Sequence, residues 1–231
     1  MKLILTCEHA FNAIPDEYSH LFAGAEEVLN THRGYDPGAF DLFEAVSGLA
    51  NFGAYQKTSR LLVEVNRSEN HPQLFSEFSA ELTNEEKQEV LEQYYFPYRE
   101  SVATKIEDFI EKGERLVHFS VHSFTPELDG EIRDADIGLL FDPARSAEEE
   151  FCTLLKKRLQ QENPELKIRF NYPYLGKSDG LTTFLRSNFP NNYSGIELEV
   201  NQKFVQNNKM DERLKMAIFD SLKATLQMIE K

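Results

Sequence analysis

An α/β three-layer sandwich with a mixed, mostly parallel central sheet is the fold class this sequence predicts. Two observations carry it. Short apolar runs alternate with longer segments of helical periodicity, the pattern of a sheet covered by helices on both faces. Polar and titratable residues recur just beyond those runs, where an open α/β sheet places its ligands. The 231 residues, 41% hydrophobic with 18 Phe and 9 Tyr, are enough for a packed core and suit one domain, residues 1–231. No Gly- or Ser-rich linker divides them.

Taken in order, residues 2–6 form an apolar run that stops too soon for a helix and reads as a buried strand. Residues 37–49 place Phe40, Phe43 and Val46 or Leu49 at helical spacing behind Asp36, the expected cap. Residues 54–57 and 61–65 read as strands, the second broken only by Glu64. Thr83 followed by Glu86 is a capping box that opens a helix to Lys112, and Pro97 should kink or divide it because proline has no N–H to donate. Gly113 ends that helix. Residues 115–121, 137–141, 166–170 and 195–200 supply further strands, and Ser146 with Glu149 should cap a helix through Leu159. From Asp211 to Ile229, the residues Leu214, Ile218, Leu222, Leu226 and Ile229 share one helical face.

Charge narrows the partners. Against 25 basic residues stand 39 acidic ones, a net of −14, and a field of that sign disfavours nucleic acid and anionic membrane surfaces. No run approaches the roughly 20 apolar residues of a membrane span. The first apolar stretch is broken by Glu8 and His9, too early for a signal-peptide core. Cys7 and Cys152 make neither a disulfide framework nor a zinc cluster, which suits a reducing compartment. The expectation is a cytoplasmic protein with a small-molecule partner.

His9 and His122 each follow an expected strand, and neutral imidazole is the usual ligand of a catalytic zinc. One such histidine alone would more commonly hydrogen-bond a neighbouring loop; two, with carboxylates nearby, favour a metal. Three protein ligands are usual, so a third must come from Glu8, Asp36 or His32. His118 lies within its strand and reads as a core or supporting imidazole. Arg60, Arg67 and Arg133 stand out in so acidic a chain, because an anionic substrate needs local cations. Asn66 beside Arg67 makes a pair able to fork onto a carboxylate. Glu197 and Glu199 alternate on one strand face, away from Ile196, Leu198 and Val200, so one of them is a candidate general base. No phosphate loop, dinucleotide turn or nucleophile elbow is expected. Ser120 and Ser123 beside His122 are set aside as nucleophiles, since adjacency in sequence is poor evidence of a Ser-His pair.

An ordered set of short motifs then becomes recognisable: Cys7-Glu-His9-Ala, His32-Arg-Gly-Tyr-Asp36-Pro-Gly-Ala39, Ser59-Arg60 with Val65-Asn-Arg67, Pro97-Tyr98, Val121-His-Ser-Phe-Thr-Pro126, Arg133 with Asp136-Ile-Gly138, Asn171-Tyr-Pro-Tyr174 and Glu199-Val-Asn-Gln202. Together they resemble the N-formylglutamate amidohydrolase family. The resemblance implies a phosphorylase/hydrolase-like fold, distantly similar to zinc carboxypeptidases. It also implies a zinc-dependent hydrolase, or one using another divalent metal such as cobalt, that cleaves N-formyl-L-glutamate to formate and glutamate in histidine degradation. The alternatives are an amidase for a different N-acyl amino acid or peptide-like amide, or a catalytically silent anion-binding homologue.

By this resemblance Asn66-Arg67 holds a substrate carboxylate, with Arg60 a further substrate contact. Glu199 is the base and Arg133 serves catalysis. Asp36 is chosen as third ligand beside His9 and His122, with Glu8 second because a neighbour of His9 on an extended chain points the other way. Two departures stand out: Arg99 follows Pro97-Tyr98 where the family often has His, and Asn12 stands where a carboxypeptidase-like His-x-x-Glu would carry Glu. The polar stretches 66–83 and 173–190 are long enough to cover a pocket.

Overall fold

The structure, a computed structural model, describes residues 1–229. In chain order it comprises β1 (Lys2–Cys7), α1 (Glu26–Leu29, a single turn), α2 (Ala39–Val46), β2 (Phe52–Tyr55), α3 (Asn84–Val90), α4 (Phe96–Glu111) and β3 (Leu116–Phe124). A two-stranded ribbon, β4 (Glu127–Leu128) with β5 (Glu131–Ile132), leads to β6 (Ile137–Leu140), α5 (Ser146–Glu162), β7 (Ile168–Phe170), α6 (Leu181–Asn188) and β8 (Tyr193–Asn201). A second ribbon, β9 (Val205–Gln206) with β10 (Lys209–Met210), precedes α7 (Glu212–Ile229). No helix among the described residues is long and apolar enough to cross a membrane.

Six strands form the central sheet in the order β2-β1-β3-β8-β6-β7. The first four are mutually parallel, and β6 runs antiparallel to β8. Every residue of β3 is buried, as a central strand covered on both faces requires. One face is wholly apolar: Leu3, Leu5, Val117, Phe119, Val121, Ile196, Leu198 and Val200 pack on α2, α5 and α7 through residues such as Leu42, Leu155 and Ile218. On the other face Ile4, Leu116 and Tyr193 meet α4 and α6 through Val102, Ile106 and Leu185. That second face turns polar toward the carboxyl ends of β1, β3 and β8, where Thr6, Ser120, His122 and Glu199 are buried.

Local chemistry explains most element ends. Thr83 and Glu86 form the reciprocal capping box, and a π-helical stretch, Leu91–Tyr95, precedes Pro97 at the start of α4, which divides the long helix as a missing donor should. Four expectations are corrected. Residues 61–65 are buried but not a strand: Leu62 N–H donates to Ser59 O and Arg67 N–H to Glu64 O, so the segment bends. A continuous apolar run does not distinguish a strand from any other buried segment. The second strand spans Phe52–Tyr55 rather than 54–57. Asp36 does not cap α2, because Gly38, left-handed at φ 76, occupies that position two residues later. Ser146 with Glu149 does not cap α5; Arg145 precedes the helix, and no side chain caps it.

Candidate active site

Three neighbouring parallel strands bring the polar groups together. β1 ends just before His9. β3 continues through Phe124, so His122 sits inside that strand rather than after it, directly beside Glu199 of β8. Asp36 arrives from the loop ahead of α2, held by its own N–H donating to His9 O at 2.9 Å. The Ser123 hydroxyl ties down the next residue by donating to Pro37 O at 2.7 Å.

His9 Nδ1 lies 3.3 Å and His122 Nδ1 3.0 Å from the same atom, Asp36 Oδ2. The far nitrogen of each ring meets a second carboxylate: His9 Nε2 is 2.6 Å from Glu64 Oε1, and His122 Nε2 is 3.1 Å from Glu8 Oε2. Burial raises both Glu64 and Glu8, yet Arg60 with His9 in one case, and His122 with His118 and Ser120 in the other, hold them well below the usual carboxylate range. Ionised carboxylates only accept, so each Nε2 carries a proton; Glu8 and Asp36 together also hold His122 well above the ordinary imidazole range, so that without a cation its Nδ1 proton is shared with Asp36. Two imidazole nitrogens and a carboxylate oxygen converge there, a donor set in which a divalent cation would take the place of a shared proton. One ligand atom from each of His9, Asp36 and His122 lies within 4.8 Å of the others, and carboxylates behind both imidazoles are the usual outer support of metal-bound histidines. By its donor chemistry the trio fits a divalent metal.

These groups open into a cavity of about 220 Å³ lined also by His32, Arg60, Asn66, Arg67, Thr125, Tyr174, Glu197 and Glu199. Burial, reinforced by Asp36 and Glu197 and opposed by His122 and Arg60, pushes the Glu199 carboxyl up to about 8. Its Oε2 is buried with no hydrogen-bond partner, an arrangement that costs about 1–3 kcal/mol unless a ligand satisfies it. The cavity therefore holds an unpartnered carboxyl beside a trio of potential metal ligands; a cation held by that trio would lower the carboxyl and leave it a base, the arrangement of a hydrolytic centre.

Comparison with known proteins gives the family. The model of the family described as N-formylglutamate amidohydrolase matches residues 1–205. The chain belongs to that family. A crystal structure of a gene product from Agrobacterium tumefaciens is 26% identical, covers 100% of this chain and 92% of that one, and superposes with a TM-score of 0.80. The crystal structure of N-formylglutamate amidohydrolase from Ralstonia eutropha shares the fold at 17% identity, covering 99% of this chain and 92% of that one with a TM-score of 0.69. No curated protein matches the chain.

The other residues singled out in the sequence divide by their contacts in this N-formylglutamate amidohydrolase family member. Asn66 Oδ1 accepts from Leu181 N–H at 2.7 Å, which leaves its amide nitrogen for the cavity. Arg67 donates one bond to Asp179 O at 2.6 Å. Arg60 is committed to Glu64 and Asp36. Arg133 is not part of the cavity lining; among the described residues its side chain donates to the hydroxyls of Thr125 and Tyr174, which do line it, at 3.4 and 3.1 Å. His118 bonds Thr6 and Tyr193, and burial pushes it down to about 4, so it stays neutral. Glu8 lies behind His122, accepting from Ser120 and from Tyr98 OH at 3.0 Å. Glu64 was missed: its role depends on the bend that residues 61–65 make, and a strand reading hides that. Gly138 shows how tightly the centre is built, since a Cβ there would lie 1.9 Å from Tyr172 O.

Two serines need weighing. Ser120 Oγ is 2.8 Å from His122 Nε2, and His122 reaches Asp36, so a Ser-His-Asp chain does exist. Ser120 nevertheless lies outside the cavity lining, and its hydroxyl proton goes to Glu8. Ser178 lines the cavity within Gly176-Lys177-Ser178-Asp179-Gly180, which corrects the expectation that no nucleophile-elbow spacing is present. It sits in an irregular loop ahead of α6, not on a strand-to-helix turn, and no histidine bonds it among the described residues. Ser120→Ala and Ser178→Ala are each expected to keep hydrolytic turnover within about tenfold of wild type. A loss on the scale of about 10⁴ or more, that of a removed nucleophile, in either steady-state assay would make the centre a serine hydrolase.

Proposed function

We propose that this family member is a metal-dependent amidohydrolase that cleaves an N-acyl amino acid, N-formyl-L-glutamate to formate and L-glutamate. The observation that carries the reading is the convergence of His9 Nδ1, His122 Nδ1 and Asp36 Oδ2 beside the unpartnered Oε2 of Glu199. His9, Asp36 and His122 would hold the cation, zinc or cobalt. When bound, it supplies polarisation of the scissile carbonyl and a water of lowered pKa.

Glu199 takes the proton of the attacking water and delivers one to the departing amine nitrogen, so the products are a carboxylate and a free amino acid. Asn66 and Arg67 hold the substrate's α-carboxylate, which sets the amide in the cavity at the right distance. Arg60 balances the charge of Glu64 and Asp36 and keeps both oriented. Arg133, without an acidic partner among the described residues, is free to take a second carboxylate. These completed roles favour an enzyme over a silent anion-binding homologue, in which one of them would be lost.

The test is formate release from N-formyl-L-glutamate by the metal-loaded protein, alongside N-formyl-L-leucine and N-acetyl-L-glutamate. Turnover of the leucine or acetyl compound in preference would move the reading to another N-acyl amino acid; turnover of none would remove it. Arg133→Gln is expected to raise KM for N-formyl-L-glutamate about tenfold, the loss of a charge-assisted hydrogen bond worth about 1.5 kcal/mol. The same variant should leave N-formyl-L-glutamine unaffected. An equal effect on both substrates would take Arg133 out of side-chain recognition.

A further inference from the structure

A buried cation the chemistry does not use lies behind the carboxylate anchor. Arg99, in the first turn of α4, is 5% exposed and forms no ion pair among the described residues. Its Nη1 donates to two backbone carbonyls, Val65 O at 2.8 Å and Arg67 O at 3.2 Å. These flank Asn66, so one guanidinium clasps the chain on both sides of the anchoring pair. Its plane is caged between the rings of Tyr95 and Phe184, at 5.0 and 4.4 Å. Tyr95 OH donates to the same Arg67 O at 2.8 Å. Phe184 belongs to α6, whose first N–H is held by Asn66 Oδ1. Arg99 thus joins α4, α6 and the Asn66-Arg67 segment at one point.

We propose that Arg99 is a positioning residue for substrate recognition: by clasping Val65 O and Arg67 O it holds Asn66 and Arg67 where they meet the substrate's carboxylate. The inference rests on the reading that this pair takes the α-carboxylate. Residues 61–67 have no strand ladder to hold them, so the register of the anchor depends on side-chain clasps. A misplacement of about 1 Å in a positioning group costs on the order of a hundredfold in rate. The uncompensated charge behind the anchor also favours an anion there over a neutral group.

The experiment compares N-formyl-L-glutamate with its α-carboxamide on the metal-loaded full-length enzyme, for wild type, Arg99→Ala, Arg99→Lys and Tyr95→Phe. Arg99→Ala is expected to raise KM for the acid at least tenfold, keep kcat within threefold and leave the carboxamide unchanged, so the acid-over-amide preference falls about tenfold. Arg99→Lys should recover part of that preference. Tyr95→Phe keeps the ring cage, removes only the second donor to Arg67 O, and should move the preference the same way by a smaller factor. It carries the test if Arg99→Ala does not fold. Equal losses on both substrates, or an unchanged preference in the folded variants, would overturn the inference while leaving the anchor assignment standing. A wild-type enzyme indifferent to the carboxylate would overturn the anchor assignment and the inference with it.

Discussion

Glu199→Gln is expected to lower kcat for N-formyl-L-glutamate by about 10²–10⁴, the contribution of a positioned general base, with KM and metal content unchanged. The amide is nearly isosteric with the carboxylate and keeps a hydrogen-bonding oxygen, but it cannot accept the water's proton at neutral pH. Glu199 Oε2 is buried without a hydrogen-bond partner, and Glu199 makes no ion pair among the described residues, so the substitution disturbs none and stability should hold. Glu197 is the control. It stands two residues away on the same strand face, but its Oε1 already accepts from Thr182 Oγ1 at 2.6 Å. Glu197→Gln should therefore keep most of the turnover. Near-wild-type activity in Glu199→Gln, or an equal collapse in both variants, would take the base role from Glu199; metal analysis and steady-state kinetics on the same preparations decide it.

Removal of metal is expected to abolish hydrolysis, and readdition of zinc or cobalt to restore it at about one ion per chain. The expectation follows from the convergence of His9 Nδ1 and His122 Nδ1 on Asp36 Oδ2. Glu64→Gln probes the same centre from behind. The His9 ring is oriented by its 2.6 Å bond to Glu64 Oε1, and loss of such an outer partner typically weakens metal affinity about 10- to 100-fold. Competition with a chelator of known affinity measures the shift, and saturating metal should return activity. Turnover indifferent to chelation, in protein shown by elemental analysis to hold no metal, would refute the metal-dependent reading. Unchanged metal affinity in Glu64→Gln would limit Glu64 to pairing with Arg60.

Much of this centre is legible in one dimension because strands alternate strictly. Along β3 the order His118, Phe119, Ser120, Val121, His122 places polar groups on one face and core residues on the other, and the same parity sets Glu197 and Glu199 apart from Ile196, Leu198 and Val200. The helix periodicity of residues 211–229 and the capping box at Thr83 carry their structures locally in the same way. Where expectation failed, the local signal was ambiguous. Asp36 has the chemistry of a cap, but Pro37 and a left-handed Gly38 separate it from α2 and free its carboxylate for the imidazoles. Residues 61–65 are as apolar as a strand, yet they turn at Ser59 and Glu64 and lie over the sheet instead of in it.

By itself the sequence determined the layered α/β class, the polar ends of three strands and the residue types of a hydrolytic centre, because hydrophobic period and strand parity are properties of neighbours a few residues apart. Only the tertiary structure decided which atoms meet. His9 and Asp36 are 27 residues apart and Asp36 and His122 are 86 apart, and no local preference acts over such separations. The same holds for Glu64 behind His9, Glu8 behind His122 and Arg99 behind Arg67. Their pairing follows from the strand order β1-β3-β8 and from packing of α4 and the 61–67 segment over one face of the sheet, where buried polar groups had to find partners or be left unsatisfied.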